Sequence, residues 1–111
     1  MTNTPLLGLH HVTAFAKDPA DCRAFYTEVL GLRLVKTTVN FDDPYVHHLY
    51  FGDHQGAPGT LLTHFPHPYS KLGLHGSPEI TTSLLRVAEI DAWEQRLRDR
   101  GVATSRETVF G

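Results

Sequence analysis

The sequence contains a single cysteine, Cys22, among its 111 residues. One cysteine excludes an internal disulfide and any zinc site built from several thiolates, and it is typical of a protein from a reducing compartment. No run of about 18 apolar residues is present, and the first residues lack the charged and apolar segments of a signal peptide. These absences predict a cytoplasmic protein with no membrane partner.

Strong charge of either sign is also absent, because the formal net charge is −2 with neutral histidines. So small a charge gives no electrostatic basis for binding nucleic acid. Glycine-rich phosphate loops and nucleophile elbows are missing as well. The apolar fraction of 41% is enough for one core, so the chain is expected to be one domain or part of one. Histidine is the one unusually frequent residue, with eight copies.

Residues 9–31 predict a strand, a capped helix and a residue that ends this helix. Asp18 stands where an N-cap belongs, and Pro19 follows at the first helical position, where its missing N–H is not needed. Gly31 is expected to end the helix, because glycine tolerates positive φ. Between these signals, apolar residues recur at helical spacing: Cys22, Phe25, Tyr26, Val29 and Leu30.

The strand before this helix alternates between two faces. One face carries Leu9, His11, Thr13 and Phe15, and the other carries smaller side chains on which a helix can pack. We therefore expect His11 and Thr63 to share the side of the sheet that lies opposite the helix at residues 18–30.

Three further strands are predicted at residues 32–41, 45–51 and 60–65, which gives the order β-α-β-β-β. A strand at 80–87 and a helix at 89–100 repeat the start of this unit at an offset of roughly 70 residues. These patterns predict a first module at 8–66, a linker at 67–78 and the start of a second, truncated module at 79–111. An incomplete second module leaves apolar sheet surface uncovered, so a homodimer or the remainder of a longer chain is expected to cover it.

Several strings resemble one known superfamily: LHHVTA at 9–14, VLGLRLVK at 29–36, TVNFDDP at 38–44 and HLYFGD at 48–53. The chain resembles the vicinal oxygen chelate superfamily, which includes glyoxalase I, bleomycin-resistance proteins and extradiol dioxygenases. Because of the string at 38–44, it is most similar to the N-terminal part of dioxygenases that cleave the rings of hydroquinones or catechols. The resemblance implies an α+β, glyoxalase-like fold built from βαβββ modules.

The resemblance also implies metal chemistry. Paired modules of this superfamily form a cup around a divalent metal, usually iron(II) in the dioxygenases, with manganese(II) as the alternative. Two adjacent oxygens of a small aromatic substrate chelate the metal, oxygen binds beside them, and the ring opens next to the diol. The usual ligands are two histidines and one carboxylate.

By this resemblance, His11 occupies the first-strand metal-ligand position, and a hydrogen-bonded histidine inside the cup is the alternative. The corresponding fourth-strand position falls at Thr63, and the first-strand position of the second module falls near Thr82. Hydroxyl groups are poor ligands, so one of the three required ligands is expected in this chain. His48 and Tyr50 are candidate substrate contacts, with core packing as the alternative for Tyr50.

Other polar residues allow two interpretations. Lys36 and Asn40 are expected on one strand face, either as substrate anchors or as residues that keep a strand edge solvated. His64 is expected to point away from the Thr63 side, and both His64 and His67 are expected to be solvated.

Two functions stay open. The first is a ring-cleaving, extradiol-type dioxygenase of aromatic diols, of which this chain is an N-terminal or degenerate portion. The second is a non-catalytic, dimeric module that binds a small ligand, as bleomycin-resistance proteins do. Glyoxalase-type isomerisation needs carboxylate ligands for which no candidate is apparent.

Overall fold

The structure is a computed structural model that describes residues 4–39, 41–42, 46–68 and 82–108. The chain divides into two compact units, residues 1–71 and residues 72–111. Neither α-helix of the described part has the length and apolar content needed to cross a bilayer.

The first unit contains four strands, which are β1 (His11–Ala16), β2 (Arg33–Val39), β3 (His47–Gly52) and β4 (Leu61–Pro66). They form one sheet in the order β1-β4-β3-β2. β1 runs parallel to β4, and the β4–β3 and β3–β2 pairs are antiparallel. A helical segment connects β1 to β2, so the predicted order β-α-β-β-β is confirmed.

The helical segment begins as predicted but does not stay α-helical. Helix α1 (Pro19–Ala24) is capped by Asp18, whose Oδ1 accepts a hydrogen bond from the Asp21 N–H at 2.8 Å. A π-helix follows at Phe25–Val29, so the prediction of a regular α-helix through Leu30 was wrong for its second half. The Thr27 hydroxyl donates to the Arg23 carbonyl, which is the acceptor that the Thr27 N–H would use in an α-helix. The hydroxyl and the N–H of Thr27 thus compete for one carbonyl, and this competition favours the wider π-helical turn over the α-helical one.

The core of this unit lies between the helical segment and the sheet. Leu49 and Phe51 of β3 are buried there with Cys22 of α1. Tyr26 stacks on Phe51, with ring centroids 5.0 Å apart. This side of the sheet is called the helix face below.

An irregularity in β2 changes which side chains reach each face. Leu34 pairs with Phe51 and packs on the core of the helix face, whereas Lys36 pairs with Tyr50. In a regular strand, residues two apart share a face. The register shift between Leu34 and Lys36 adds one residue, Val35, and thereby turns Lys36 to the opposite side.

The second unit contains helix α2 (Ile90–Asp99), close to the predicted range 89–100. Gly101 follows with φ 75°, the positive value expected after a helix. Arg106 forms ion pairs with Asp91 and Glu94, which connect the segment after the helix to its first turns.

The predicted strand at 80–87 was wrong for its described part, because residues 82–87 belong to no strand. Alternating β-branched and apolar residues favour an extended backbone. A strand, however, exists only where a neighbour supplies the other half of the hydrogen-bond ladder. No described segment is paired with residues 82–87.

Candidate functional site

The side of the sheet opposite the helical segment, called the open face here, carries the candidate site. The paired registers place the following side chains on it: His11, Thr13 and Phe15 of β1, Leu61, Thr63 and Phe65 of β4, His48 and Tyr50 of β3, and Lys36 and Thr38 of β2. The predicted shared side of His11 and Thr63, away from the helix, is confirmed.

Thr63 forms the centre of the open face and is fully buried, at 0% exposure. Its hydroxyl shares a hydrogen bond with that of Thr13 at 2.6 Å and another with Nε2 of His48 at 2.8 Å. These contacts connect β1, β4 and β3 in one polar network. A hydroxyl has one proton to donate and two lone pairs that accept, so Thr63 donates to at most one of these partners.

An aromatic row crosses the open face on both sides of His48. The His48 ring stacks on Phe65 with centroids 3.8 Å apart, and it lies 4.2 Å from the Tyr50 ring. Phe15 extends the row beyond Phe65 at 6.4 Å. Nζ of Lys36 lies 4.5 Å from the centroid of Tyr50 and ends the row at β2. Lys36, Tyr50, His48, Phe65 and Phe15 define the aromatic row in the following text.

The electrostatic environment of the open face favours a neutral His48. Burial lowers the pKa of His48 from its ordinary 6.5, and the positive charges of His11 and Lys36 lower this pKa further. None of the side chains that the strands place on this face is acidic. Lys36 is the one lysine or arginine among the strand side chains named for this face.

His11 lies at the exposed start of β1 beside a second histidine. The Nδ1 atoms of His10 and His11 are 3.0 Å apart. A hydrogen bond between two ring nitrogens uses one proton, so one of the two atoms donates and the other accepts. The contact occupies Nδ1 of His11 and leaves its Nε2 for any further partner.

His64 lies on the helix face, as alternation predicted, but the prediction that it is solvated was wrong. Its side chain is 6% exposed and its ring lies 4.4 Å from that of Tyr26. Burial lowers the pKa of His64, and the charge of His48 adds to this effect. His67 is half-buried rather than solvated, because its ring packs against Phe15 at 5.2 Å. Asn40 lies outside the described residues.

The described residues do not complete a metal site. They include no group of three histidine, cysteine or acidic side chains that could hold a metal ion. His11 and His48 share the open face, but the third member of the usual set, a carboxylate, is not among the side chains of this face. His11, the one ligand that the resemblance implied, lies on this face, and its role as a ligand stays a prediction.

Sequence reasoning named His11, His48 and Tyr50 as candidates, and the structure places all three on the open face, but it missed the Thr13–Thr63–His48 network and the stacking of His48 on Phe65. Alternation had placed Thr13 and Thr63 on one face. Their contact depends on the parallel pairing of β1 with β4, for which no signal exists in either strand alone.

Comparisons with known proteins were made for the whole chain. The profile of the Glyoxalase/Bleomycin resistance protein/Dioxygenase superfamily matches residues 8–109. MhqE of Bacillus subtilis (strain 168), provisionally named a ring-cleaving dioxygenase, is 49% identical over 106 residues, which are 94% of this chain. The chlorohydroquinone/hydroquinone 1,2-dioxygenase of Sphingobium indicum is 35% identical over 102 residues, 88% of this chain. The chain spans about a third of the length of these relatives, 35% and 32% respectively.

Several solved structures have a fold similar to that of this chain. The crystal structure of a protein from Bacillus subtilis, provisionally described as a dioxygenase, superposes with a TM-score of 0.85 at 42% identity. That match covers 95% of this chain and 34% of the other. A variant of the fosfomycin resistance protein FosX from Listeria monocytogenes, complexed with Mn(II), gives a TM-score of 0.61 at 17% identity and covers 96% of this chain and 79% of its own. A divalent metal is thus bound by at least one protein of this fold.

Proposed function

Because the chain belongs to the glyoxalase/bleomycin resistance protein/dioxygenase superfamily, we propose that it provides the first module of a ring-cleaving dioxygenase that acts on aromatic diols. The names of its relatives support this reaction class, and one of them suggests hydroquinones as substrates; catechols are the alternative that the sequence resemblance implies. The expected cleavage is of the extradiol type, next to the diol.

The observation that carries the proposal is the position of His11 on the same face of the sheet as the aromatic row. His11 is exposed, and its Nε2 is not used in the contact with His10. We assign it the role of one imidazole ligand to a divalent metal, iron(II) or alternatively manganese(II). The further ligands would come from outside the described residues, in a second copy or in a longer chain.

The same face supports the contact with substrate. His48 and Tyr50 form the middle of the aromatic row, and Thr63 holds the imidazole of His48 by a hydrogen bond of 2.8 Å. The exposed parts of the fixed imidazole and of the neighbouring phenol ring offer an aromatic contact for a substrate ring. Both residues are half-buried, so they remain within reach of a ligand.

A dimeric, non-catalytic binding module is the second candidate. The aromatic row favours it, because stacking on His48, Tyr50 and Phe65 requires no metal. In this case a second copy of the chain would cover the open face, and the ligand would lie between the two sheets.

Metal binding separates the two candidates. The chain is purified without oxygen, supplied with iron(II), and assayed for bound metal and for oxygen uptake with catechol and hydroquinone. His11→Ala is compared with His47→Ala, because His47 is an exposed histidine of β3 that pairs with Val39 and therefore lies off the open face.

Where a second copy supplies the further ligands, the dioxygenase proposal expects bound iron in the parent chain and in His47→Ala, and its loss in His11→Ala. Equal iron in both variants would contradict the role of His11. Binding of catechol without bound metal and without oxygen uptake would instead support the binding module.

A further inference from the structure

We propose that the open face selects an aromatic ring that carries a negative charge, and that Lys36 is the residue that recognises this charge. The proposal rests on the proposed function, in that it names the substrate class for the same face. It assigns to Lys36 a role in specificity rather than in the reaction.

The position of Lys36 depends on the irregularity in β2. Without the extra residue at Val35, Lys36 would follow Leu34 onto the helix face. Instead, Lys36 pairs with Tyr50 across β2 and β3, and its Nζ lies 4.5 Å from the Tyr50 ring centroid. A cation–π contact of this kind holds the ammonium over the ring and leaves its other sides available to an anion.

The charge of Lys36 is not neutralised by the parts of the chain that the structure describes. The ion pairs found there involve Arg98 and Arg106, and no carboxylate lies within ion-pair distance of Lys36. Lys36 is exposed at the end of the aromatic row, and none of the strand side chains on this face is acidic. A negative group on a ligand would therefore meet a cation without competition from the protein.

The ligand class follows from the neighbours of this cation. A ring that packs against the exposed parts of His48 and Tyr50 would lie close to Lys36, so that a substituent at its edge could reach the ammonium. Carboxylate and phenolate groups both supply the required negative oxygen. A neutral polar substituent of the same shape would gain only a hydrogen bond to the ammonium, which is weaker than a charge-assisted one.

Three probe compounds separate charge from shape: benzoate, benzamide and cyclohexanecarboxylate. Binding to the complete chain is followed by the shifts of the Lys36 and Tyr50 backbone amides in ¹H–¹⁵N NMR spectra. Benzoate is expected to bind roughly two to five times more tightly than benzamide, which is the effect of one exposed ion pair. Cyclohexanecarboxylate is expected to bind more weakly than benzoate, because it cannot stack.

Substitutions identify the residue responsible. Lys36→Met removes the charge and keeps the length, so the preference for benzoate over benzamide should disappear. Lys36→Arg should retain the preference. Lys17→Met is the matched control, because Lys17 is an exposed lysine between β1 and α1, and this variant should behave as the parent chain. Equal affinity of the parent for both probes, or a preference that survives in Lys36→Met, would overturn the proposal.

The results of the probe-binding experiment can be distinguished from those of the test of iron binding and oxygen uptake. Charge preference without iron binding or oxygen uptake would contradict metal binding by this chain and leave the recognition of an anionic ring established. Iron binding and oxygen uptake without charge preference would refute the role of Lys36 alone.

Discussion

Replacement of His64 by phenylalanine is expected to stabilise the first unit. The imidazole of His64 is 6% exposed, and its Nδ1 has no hydrogen-bond partner in the described part of the chain. The ring lies 4.4 Å from Tyr26 and 5.9 Å from Phe51, so its surroundings on the helix face are aromatic. A phenyl ring would suit this environment and would bring no polar atom into it.

Two opposing terms determine the magnitude. A buried polar atom without a partner costs about 1–3 kcal/mol, and His64→Phe removes this penalty. Phenylalanine is slightly larger than histidine, and overpacking of a core costs about 1–3 kcal/mol when whole methylene groups are added. Because the added volume is small, the gain is expected to prevail. We expect the free energy of unfolding to rise by about 1 kcal/mol at mildly alkaline pH.

The effect should grow as the pH falls. Burial, with a further contribution from His48, lowers the pKa of His64 in the folded state below the ordinary 6.5. Below pH 6.5 the unfolded chain therefore gains a proton that the folded chain does not bind, so the parent loses stability. A single histidine of this kind lowers the free energy of unfolding by up to about 1.4 kcal/mol for each pH unit below 6.5, until the pH reaches its pKa in the folded state. The pKa of His48 is also lowered in the folded state, so His48 adds a pH dependence of the same sign to the parent chain and to His64→Phe.

Urea unfolding between about pH 5.5 and pH 8 measures this difference, since histidines titrate in that range. The NMR intensities of the Leu49 and Phe51 amides report on the first unit alone. The stability curves of the parent and His64→Phe should diverge toward acid, whereas His47→Phe should run parallel to the parent. Parallel curves for His64→Phe, or its destabilisation throughout, would refute the account of His64 as a buried, neutral and unpartnered histidine.

Three further predictions concern the same unit. Thr63→Val keeps the shape of the side chain but removes the hydroxyl between its two partners, so urea titration should show a loss of about 1–2 kcal/mol, and an unchanged midpoint would contradict the network. Asp18→Ala should lower the free energy of unfolding by about 1 kcal/mol, whereas Asp18→Ser should restore most of it, because serine also caps. The Cys22 thiol, whose pKa is raised by burial, should react with a thiol reagent only as fast as the unit opens, so rapid modification under native conditions would refute its burial.

Local features of the sequence were sufficient to predict the elements of the first unit. Asp18 and Gly31 mark the two ends of the helical segment, because capping and positive φ depend on single residues and their immediate neighbours. Strand alternation was sufficient to place His11 and Thr63 on one face, since side chains of a regular strand repeat every two residues. Of the ten side chains on the open face, His11, His48 and Tyr50 were named as site candidates on this basis together with the family resemblance.

Contacts between distant segments decided the features of the fold and of the site that the local sequence did not specify. Thr13 and Thr63 meet across a separation of 50 residues because β1 pairs with β4. The register shift in β2 brings Lys36 beside Tyr50, and the packing of Tyr26 over β4 buries His64. The segment at 82–87 remains outside any strand for the same reason. A ladder, a register and a buried face each need two partners, and the preferences of one segment specify only its own half of the contact.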